Sequence, residues 1–165
     1  RLRQLVDLDP LTSLANRRRL RHAFDRVRTS GAAVIFLDMD DFKGINDRYG
    51  HIVGDACLLR LAAELTRTFR PDDAVFRLGG DEFLVVAPGL EVAAAHERVG
   101  SLRAVLAKGD DGAPPCTLSV GVAQLPPEGE PEAVMREADE RMYIDKRRRQ
   151  GSRRSPSRTF TDAAV

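Results

Sequence analysis

The chain has 165 residues, 42% of them apolar and 31% charged, with a formal net charge of +1; that is enough for one domain with a real core and little more. No apolar run approaches the roughly 20 residues of a membrane-spanning helix, and the opening Arg1-Leu2-Arg3-Gln4-Leu5 lacks the apolar stretch of a signal peptide. The charge is uneven: residues 147–165 hold six Arg and one Asp, and the remainder holds 20 basic against 24 acidic residues, a balance of −4.

In residues 1–8, Leu2, Leu5 and Val6 fall at helical spacing and predict the end of a helix arriving from an upstream domain, which fits a piece of a longer protein. Asp9-Pro10 breaks that helix, because the residue before Pro is driven out of the helical region. Asn16 can cap a helix carrying Leu20, Ala23, Phe24 and Val27 on one face, and Ser30-Gly31 ends it. Residues 32–37 are a short continuous apolar run, read as a buried strand, with Asp38-Met39-Asp40-Asp41 at its C-terminal end. Residues 42–54 read as a short helix and a loop, and 55–69 as an amphipathic helix with Leu58, Leu61, Ala62, Leu65 and Phe69 on one face. Residues 74–78 and 82–87 are two strands about a Gly79-Gly80 turn. A helical pattern over 91–108, a loop over 109–115, a strand over 116–123 and a last helix over 130–146 complete the order. Cys57 and Cys116 sit in apolar stretches, outside any CxxC or zinc-type spacing, and read as buried thiols. Residues 151–165, rich in Arg and Ser, read as a basic, disordered tail. Helices mixed with strands around a central hairpin argue for an α/β sandwich with a mixed sheet, not a doubly wound parallel fold.

Two acidic positions call for chemistry. Asp38 ends a buried strand, and Asp81-Glu82 follow the Gly-Gly turn, with few basic residues nearby in sequence. A hard cation such as Mg²⁺ requires carboxylate and carbonyl oxygens of this kind, and it can bridge them to the phosphates of a nucleotide. Glycines at 79 and 80 would let backbone N–H groups approach a phosphate closely.

The string Gly79-Gly80-Asp81-Glu82-Phe83 is the signature of the GGDEF family, the catalytic domains of diguanylate cyclases, and the resemblance runs on. Asp9-Pro10-Leu11-Thr12-Ser13-Leu14-Ala15-Asn16-Arg17 resembles the family's opening DxLTxLxNR segment, and residues 38–47 its metal and nucleotide segment. Tyr49-Gly50-His51-Ile52-Val53-Gly54-Asp55 resembles its G-H-x-x-G-D loop, Leu118-Ser119-Val120-Gly121-Val122 its late strand, and Ala138-Asp139, Met142-Tyr143 and Lys146 its last helix. The likeness spans about residues 7–146. It implies an α+β, palm-like nucleotide-cyclase fold with a central, mostly antiparallel five-stranded sheet flanked by helices. It divides the chain into the end of a linker helix (1–8), a catalytic domain (9–150) and the tail (151–165).

The same resemblance implies a role for each matching residue. Asp38, the Met39 carbonyl, Asp81 and Glu82 would hold Mg²⁺ or Mn²⁺, with Asp81 and Glu82 also catalytic. Asn46 and Asp55 would read guanine, with His51 lining the pocket. The Phe42 N–H, Lys43, Gly79, Gly80 and Lys146 would hold the triphosphate, with Lys43 serving catalysis too. Beyond Lys146 the family's Lys-x-x-Gly-Arg-Asn ending is replaced by Lys146-Arg147-Arg148-Arg149-Gln150-Gly151, so one of Arg147, Arg148 and Arg149 would supply the phosphate-binding Arg. Arg70-Pro71-Asp72-Asp73 is an RxxD five residues before Gly79, the family's inhibitory product site, with Arg103 as a further member.

The implied activity is condensation of two GTP into cyclic di-GMP across a homodimer, in the cytoplasm, under an upstream sensory domain and with product inhibition. Neither nucleic acid nor membrane contact is expected of this domain. A GGDEF domain acting only as a receptor for GTP or cyclic di-GMP is the alternative. An adenine-containing product is disfavoured by Asp55, and a scaffold with a nucleic-acid-binding tail by the lack of Trp and of interleaved aromatics.

Overall fold

The computed structural model describes residues 7–152. A 3₁₀ turn, Arg17–Arg19, leads into α1 (Leu20–Val27), followed by β1 (Ala32–Met39), α2 (Phe42–Tyr49), α3 (His51–Thr68), β2 (Ala74–Gly79), β3 (Glu82–Pro88), α4 (Val92–Leu106), β4 (Leu118–Leu125) and α5 (Pro131–Ser152). Asn16 caps the first turn as its sequence predicts, accepting from the Arg18 N–H at 3.0 Å.

The strands form one antiparallel sheet in the order β2-β3-β1-β4. All eight residues of β1 are buried, because it is central in the sheet and covered on both faces; this is why it reads as an unbroken apolar run. Alternation along the strands sorts the core into two layers. Ile35, Leu37, Phe83, Val85 and Val122 face α3 and α4, represented by Leu58, Leu61, Leu65, Val99 and Leu102. Val34, Phe36, Leu84, Val86 and Ala123 face α1 and α5, represented by Phe24, Val27, Val134, Ala138 and Met142. Helix α5 crosses β4 almost backbone to backbone: a Cβ on Gly121 would lie 1.9 Å from the Ala138 carbonyl oxygen.

Five expectations change. The sheet has four strands among the described residues rather than five, and it is antiparallel throughout instead of mixed. The loop expected before residue 55 is helix: α2 and α3 are separated by Gly50 alone, whose φ of 88° turns the chain without a longer connection. Asp7 and Leu8 are not helical; Leu8 instead bridges Ala15, which bridges Phe76 in β2 and so lays the opening segment beside the sheet. Helix α5 continues through Gly151 and Ser152, beyond the boundary expected at 150. The upstream-helix residues 1–6 and the rest of the basic tail, 153–165, lie outside the described residues. None of the described helices is long and apolar enough to cross a membrane.

Candidate active site

The end of β1, the β2–β3 turn and the C-terminal half of α5 meet at one place. Asp38 pairs in register with Glu82 on one side and Ser119 on the other. The next amide, Met39 N–H, donates to the Asp81 carbonyl at 3.2 Å, which fixes the signature turn against the strand end. Asp38 is only 5% exposed. Its Oδ2 accepts from Lys146 Nζ at 3.1 Å, while its Oδ1 is buried with no partner. Burial, and then the Asp81 carboxyl against it, push the Asp38 carboxyl up to about 6, and Lys146 pulls the other way. A half-satisfied buried carboxylate beside a second acid is a site that favours a cation.

Neighbouring acids are spoken for. Asp40 accepts from the Thr117 and Ser119 hydroxyls at 2.6 and 2.5 Å, which staples the end of β1 to β4. Asp41 stands in the left-handed region at φ 53° and pairs with Arg48 at 2.8 Å. It leads into α2 without a side-chain cap, leaving the first-turn N–H groups of Phe42 and Lys43 for another acceptor.

The turn itself is held from outside the site. Gly79 and Gly80 have φ of 154° and 47°, conformations that a side chain would strain. Arg77 donates twice to the Gly80 carbonyl, at 3.0 and 2.7 Å, and twice to the Asp9 carboxylate, at 3.1 Å each. Asp9 in turn accepts from the Thr12 N–H and hydroxyl, both at 2.7 Å. Burial raises the Asp9 carboxyl, but the Thr12 bonds and Arg77 outweigh it and hold it below 3.8. The opening motif is thus a structural clamp on the signature turn.

Asn46 lies on α2 with its side-chain oxygen buried and unpartnered among the described residues. It faces Gly54 on α3, where a Cβ would fall 1.8 Å from that oxygen. The α2–α3 corner is therefore shaped around the Asn46 amide, with exposed His51 and Asp55 on the first turns of α3. Lys43 is exposed and pairs with Asp47 at 2.9 Å.

A cavity of about 900 Å³ opens between β1 and α5, lined among others by Asp38, Glu82, Tyr143, Lys146, Arg147 and Gln150. A smaller one of about 180 Å³ lies beside it, lined by Asp40, Asp41, Lys146, Arg149 and Gln150. Gln150 is one helical turn from Lys146, where the family ending carries its Arg. The three arginines diverge: Arg147 stacks over Tyr143 at 5.9 Å, Arg149 pairs with Asp145 at 3.2 Å, and Arg148 turns to the opposite face of α5. Among the described residues no three His, Cys, Asp or Glu side chains form a metal cluster by themselves. Asp38, Asp81 and the Met39 carbonyl nevertheless suit an ion that also takes phosphate oxygens, the usual habit of Mg²⁺.

The RxxD lies apart from this centre. Asp73 accepts from the Arg70 N–H at 2.7 Å and pairs with Arg98 at 3.3 Å. Arg98 also lies over the Phe69 ring at 5.7 Å. Sequence reasoning missed Arg98; the signal was its place on the inner face of α4, one turn before Leu102. Arg103 is not at this site. It donates to the Leu118 carbonyl at 3.0 Å and to Asp145 at 2.6 Å, because its face of α4 covers the edge of β4.

A carboxylate pair lies at the end of an antiparallel sheet, beside a lysine and an uncapped helix start, in an acidic site suited to a cation. The comparisons place the chain in a family. The profile of the family "Diguanylate cyclase, GGDEF domain" matches residues 6–152, and the chain belongs to that family. It is 39% identical over 160 residues to diguanylate cyclase TpbB of Pseudomonas aeruginosa, covering 88% of this chain and 36% of that protein. The chain thus spans about a third of the length of this curated relative. Among solved structures it resembles the coiled coil and GGDEF domain of DgcB from Caulobacter crescentus in complex with c-di-GMP (TM-score 0.80, 27% identity, 88% of this chain and 83% of that one). A sensory box/GGDEF family protein from the same organism matches with TM-score 0.73 and 40% identity, covering 86% of this chain and 99% of that one.

Proposed function

We propose that this domain condenses two GTP into cyclic di-GMP and two pyrophosphates, each of two copies presenting one nucleotide to the other. The observation that carries the reading is the buried Asp38 carboxylate, unpartnered at Oδ1 and set against Asp81. Mg²⁺ or Mn²⁺ held by Asp38, Asp81 and the Met39 carbonyl, with Glu82 toward a second ion, would neutralise charge on the α-phosphate and the leaving pyrophosphate.

The chain's own groups do the rest. Asp55 accepts from the guanine N1–H and amino group, and the Asn46 amide complements the same base, with His51 alongside. Adenine lacks that donor pair, so a site built on these bonds rejects it. The α2 N–H groups of Phe42 and Lys43, the Gly79-Gly80 turn, the Lys43 ammonium and Lys146 hold the triphosphate. Each 3′-oxygen forms a bond to the other molecule's α-phosphorus while the bond to the bridging oxygen breaks and pyrophosphate leaves. Asp81 takes the hydroxyl proton, with Glu82 beside it. Juxtaposing two bound nucleotides supplies much of the rate, so dimer geometry, set by an upstream domain, controls the output of this domain in the cytoplasm. Arg70 and Asp73, joined by Arg98, form the product-inhibition site.

A receptor that binds GTP or cyclic di-GMP without turnover is the second reading, favoured by Gln150 in the place of the family Arg. Turnover of GTP with Mg²⁺ on the chain fused to a dimerising coiled coil separates the two. Cyclic di-GMP that disappears in Asp81→Ala supports the enzyme; nucleotide binding without product in the parent chain overturns it in favour of the receptor.

A further inference from the structure

Helix α5 has two charged faces, and the proposed function uses one. The other face meets α4 over the free edge of β4 in a cavity of about 400 Å³. Its basic side chains are His96 and Arg103 from α4 and Arg141 and Arg148 from α5, with Asp145 as the one carboxylate in the lining. Asp145 is already engaged: its Oδ2 accepts from Arg103 at 2.6 Å, from the Val120 N–H at 2.8 Å and from Arg149 at 3.2 Å.

The β4 edge in this cavity does not present a bare ladder for another strand. Arg103 caps the Leu118 carbonyl, Asp145 caps the Val120 N–H, and Arg141 caps the Val122 carbonyl. What remains unmet is donor capacity. Arg103 Nε is buried with no acceptor, a charged donor desolvated without a compensating bond until an acceptor arrives. Exposed Arg148 and His96 have no hydrogen bond or ion pair among the described residues.

We propose that this cavity is a second anion site, which takes a small phosphate-bearing molecule. Arg141 is also paired with Glu137, so the donors left for an anion are the Arg148 guanidinium from α5 and Arg103 Nε and His96 from α4; a guanidinium fork matches phosphate oxygens in pairs, and a concave pocket of this size suits a compact anion better than a lipid surface. The site opens on the other side of α5 from the proposed catalytic centre, toward which residues 139, 142, 143 and 146 project; Ile144 borders both cavities.

The test is an NMR titration of the full chain with inorganic pyrophosphate in EDTA, which removes metal-dependent binding at the acidic site. Saturable shifts of the Val120, Gly121 and Val122 amides are expected, weakened at least tenfold in Arg148→Glu and changed less than twofold in Lys146→Ala. Arg148 is exposed, so its replacement leaves the fold intact; unchanged shifts elsewhere in the spectrum check this. The proposal is overturned if the shifts stay confined to residues 38–46 and 79–82, if Arg148→Glu binds as well as the parent, or if hexaglutamate competes as strongly as pyrophosphate, which would mark an acidic-peptide surface instead.

Discussion

Replacing Arg77 by Ala tests whether the opening segment clamps the signature turn. The guanidinium makes four hydrogen bonds, two to the Gly80 carbonyl and two to Asp9. The side chains of Arg77 and Asp9 are 13% and 14% exposed. Breaking a fully buried pair costs about 3–5 kcal/mol, and the partial exposure here puts the expected loss near the lower end, ~3 kcal/mol. With a urea slope of about 2 kcal/mol per molar, the midpoint falls by roughly 1.5 M. Asp9→Asn and the double variant close a cycle, with an expected coupling of about 1–2 kcal/mol. The pH dependence has a definite sign. Net, Asp9 is held below its ordinary 3.8, so its contribution is present above that value and lost as pH falls through the folded-state pKa. The gap between parent and Arg77→Ala is therefore widest near neutral pH and shrinks below about pH 4. A midpoint shift under about 0.3 M, or no coupling with Asp9, would refute the clamp.

Other substitutions probe the packing and the site. Gly121→Ala drives a Cβ into the Ala138 carbonyl, and overpacking of this kind costs about 3 kcal/mol in urea unfolding. Gly54→Ala displaces the Asn46 amide, so nucleotide competition should show GTP losing its preference over ATP by about tenfold, with a much smaller loss of overall stability. Cys57 and Cys116 are both free and buried, and burial together with the Cys57 contact pushes the Cys116 thiol up to about 12; a thiol reagent at pH 8 should label neither in the native protein and both in urea. Asp81→Ala removes an acid that raises the Asp38 carboxyl, so unfolding in urea should show a stability gain of ~1 kcal/mol at pH 7 while product formation is lost, which separates loss of chemistry from loss of fold.

Most of the fold was legible because the patterns are strong. The β1 run, the Gly-Gly hairpin and the Leu face of α3 each fixed an element before any tertiary contact was needed. The boundary between α2 and α3 was not legible, because Gly50 and Gly54 read as loop residues in isolation; only the folded corner reveals Gly54 as the space for Asn46. The acidic centre was legible through Asp38, Asp81 and Lys146, which the structure brings together from positions as much as 108 residues apart. Partner choice was not. Asp73 takes Arg98, and Arg103 goes to the β4 edge, because helical phase relative to the sheet decides which Arg faces which acid. The Asp9–Arg77 clamp spans 68 residues and leaves no periodic signal.

The placement of Asp38 carries a stability cost that has the form of a function. Its folded pKa, about 6, lies above its ordinary 3.8, so the ionised form is penalised by folding. The penalty is complete above about pH 6 and fades as pH falls toward 3.8. At about 1.4 kcal/mol for each pKa unit, it amounts to ~3 kcal/mol at neutral pH, and Lys146 has already lowered it. A hydrophobic residue at the end of this buried strand would avoid that cost. Asp40, two residues on, is also acidic, yet the Thr117 and Ser119 hydroxyls satisfy it in full. The contrast separates a structural acid from one kept ionisable and half-satisfied. Binding a cation at Asp38 would relieve the penalty, and the free energy regained would appear directly as affinity.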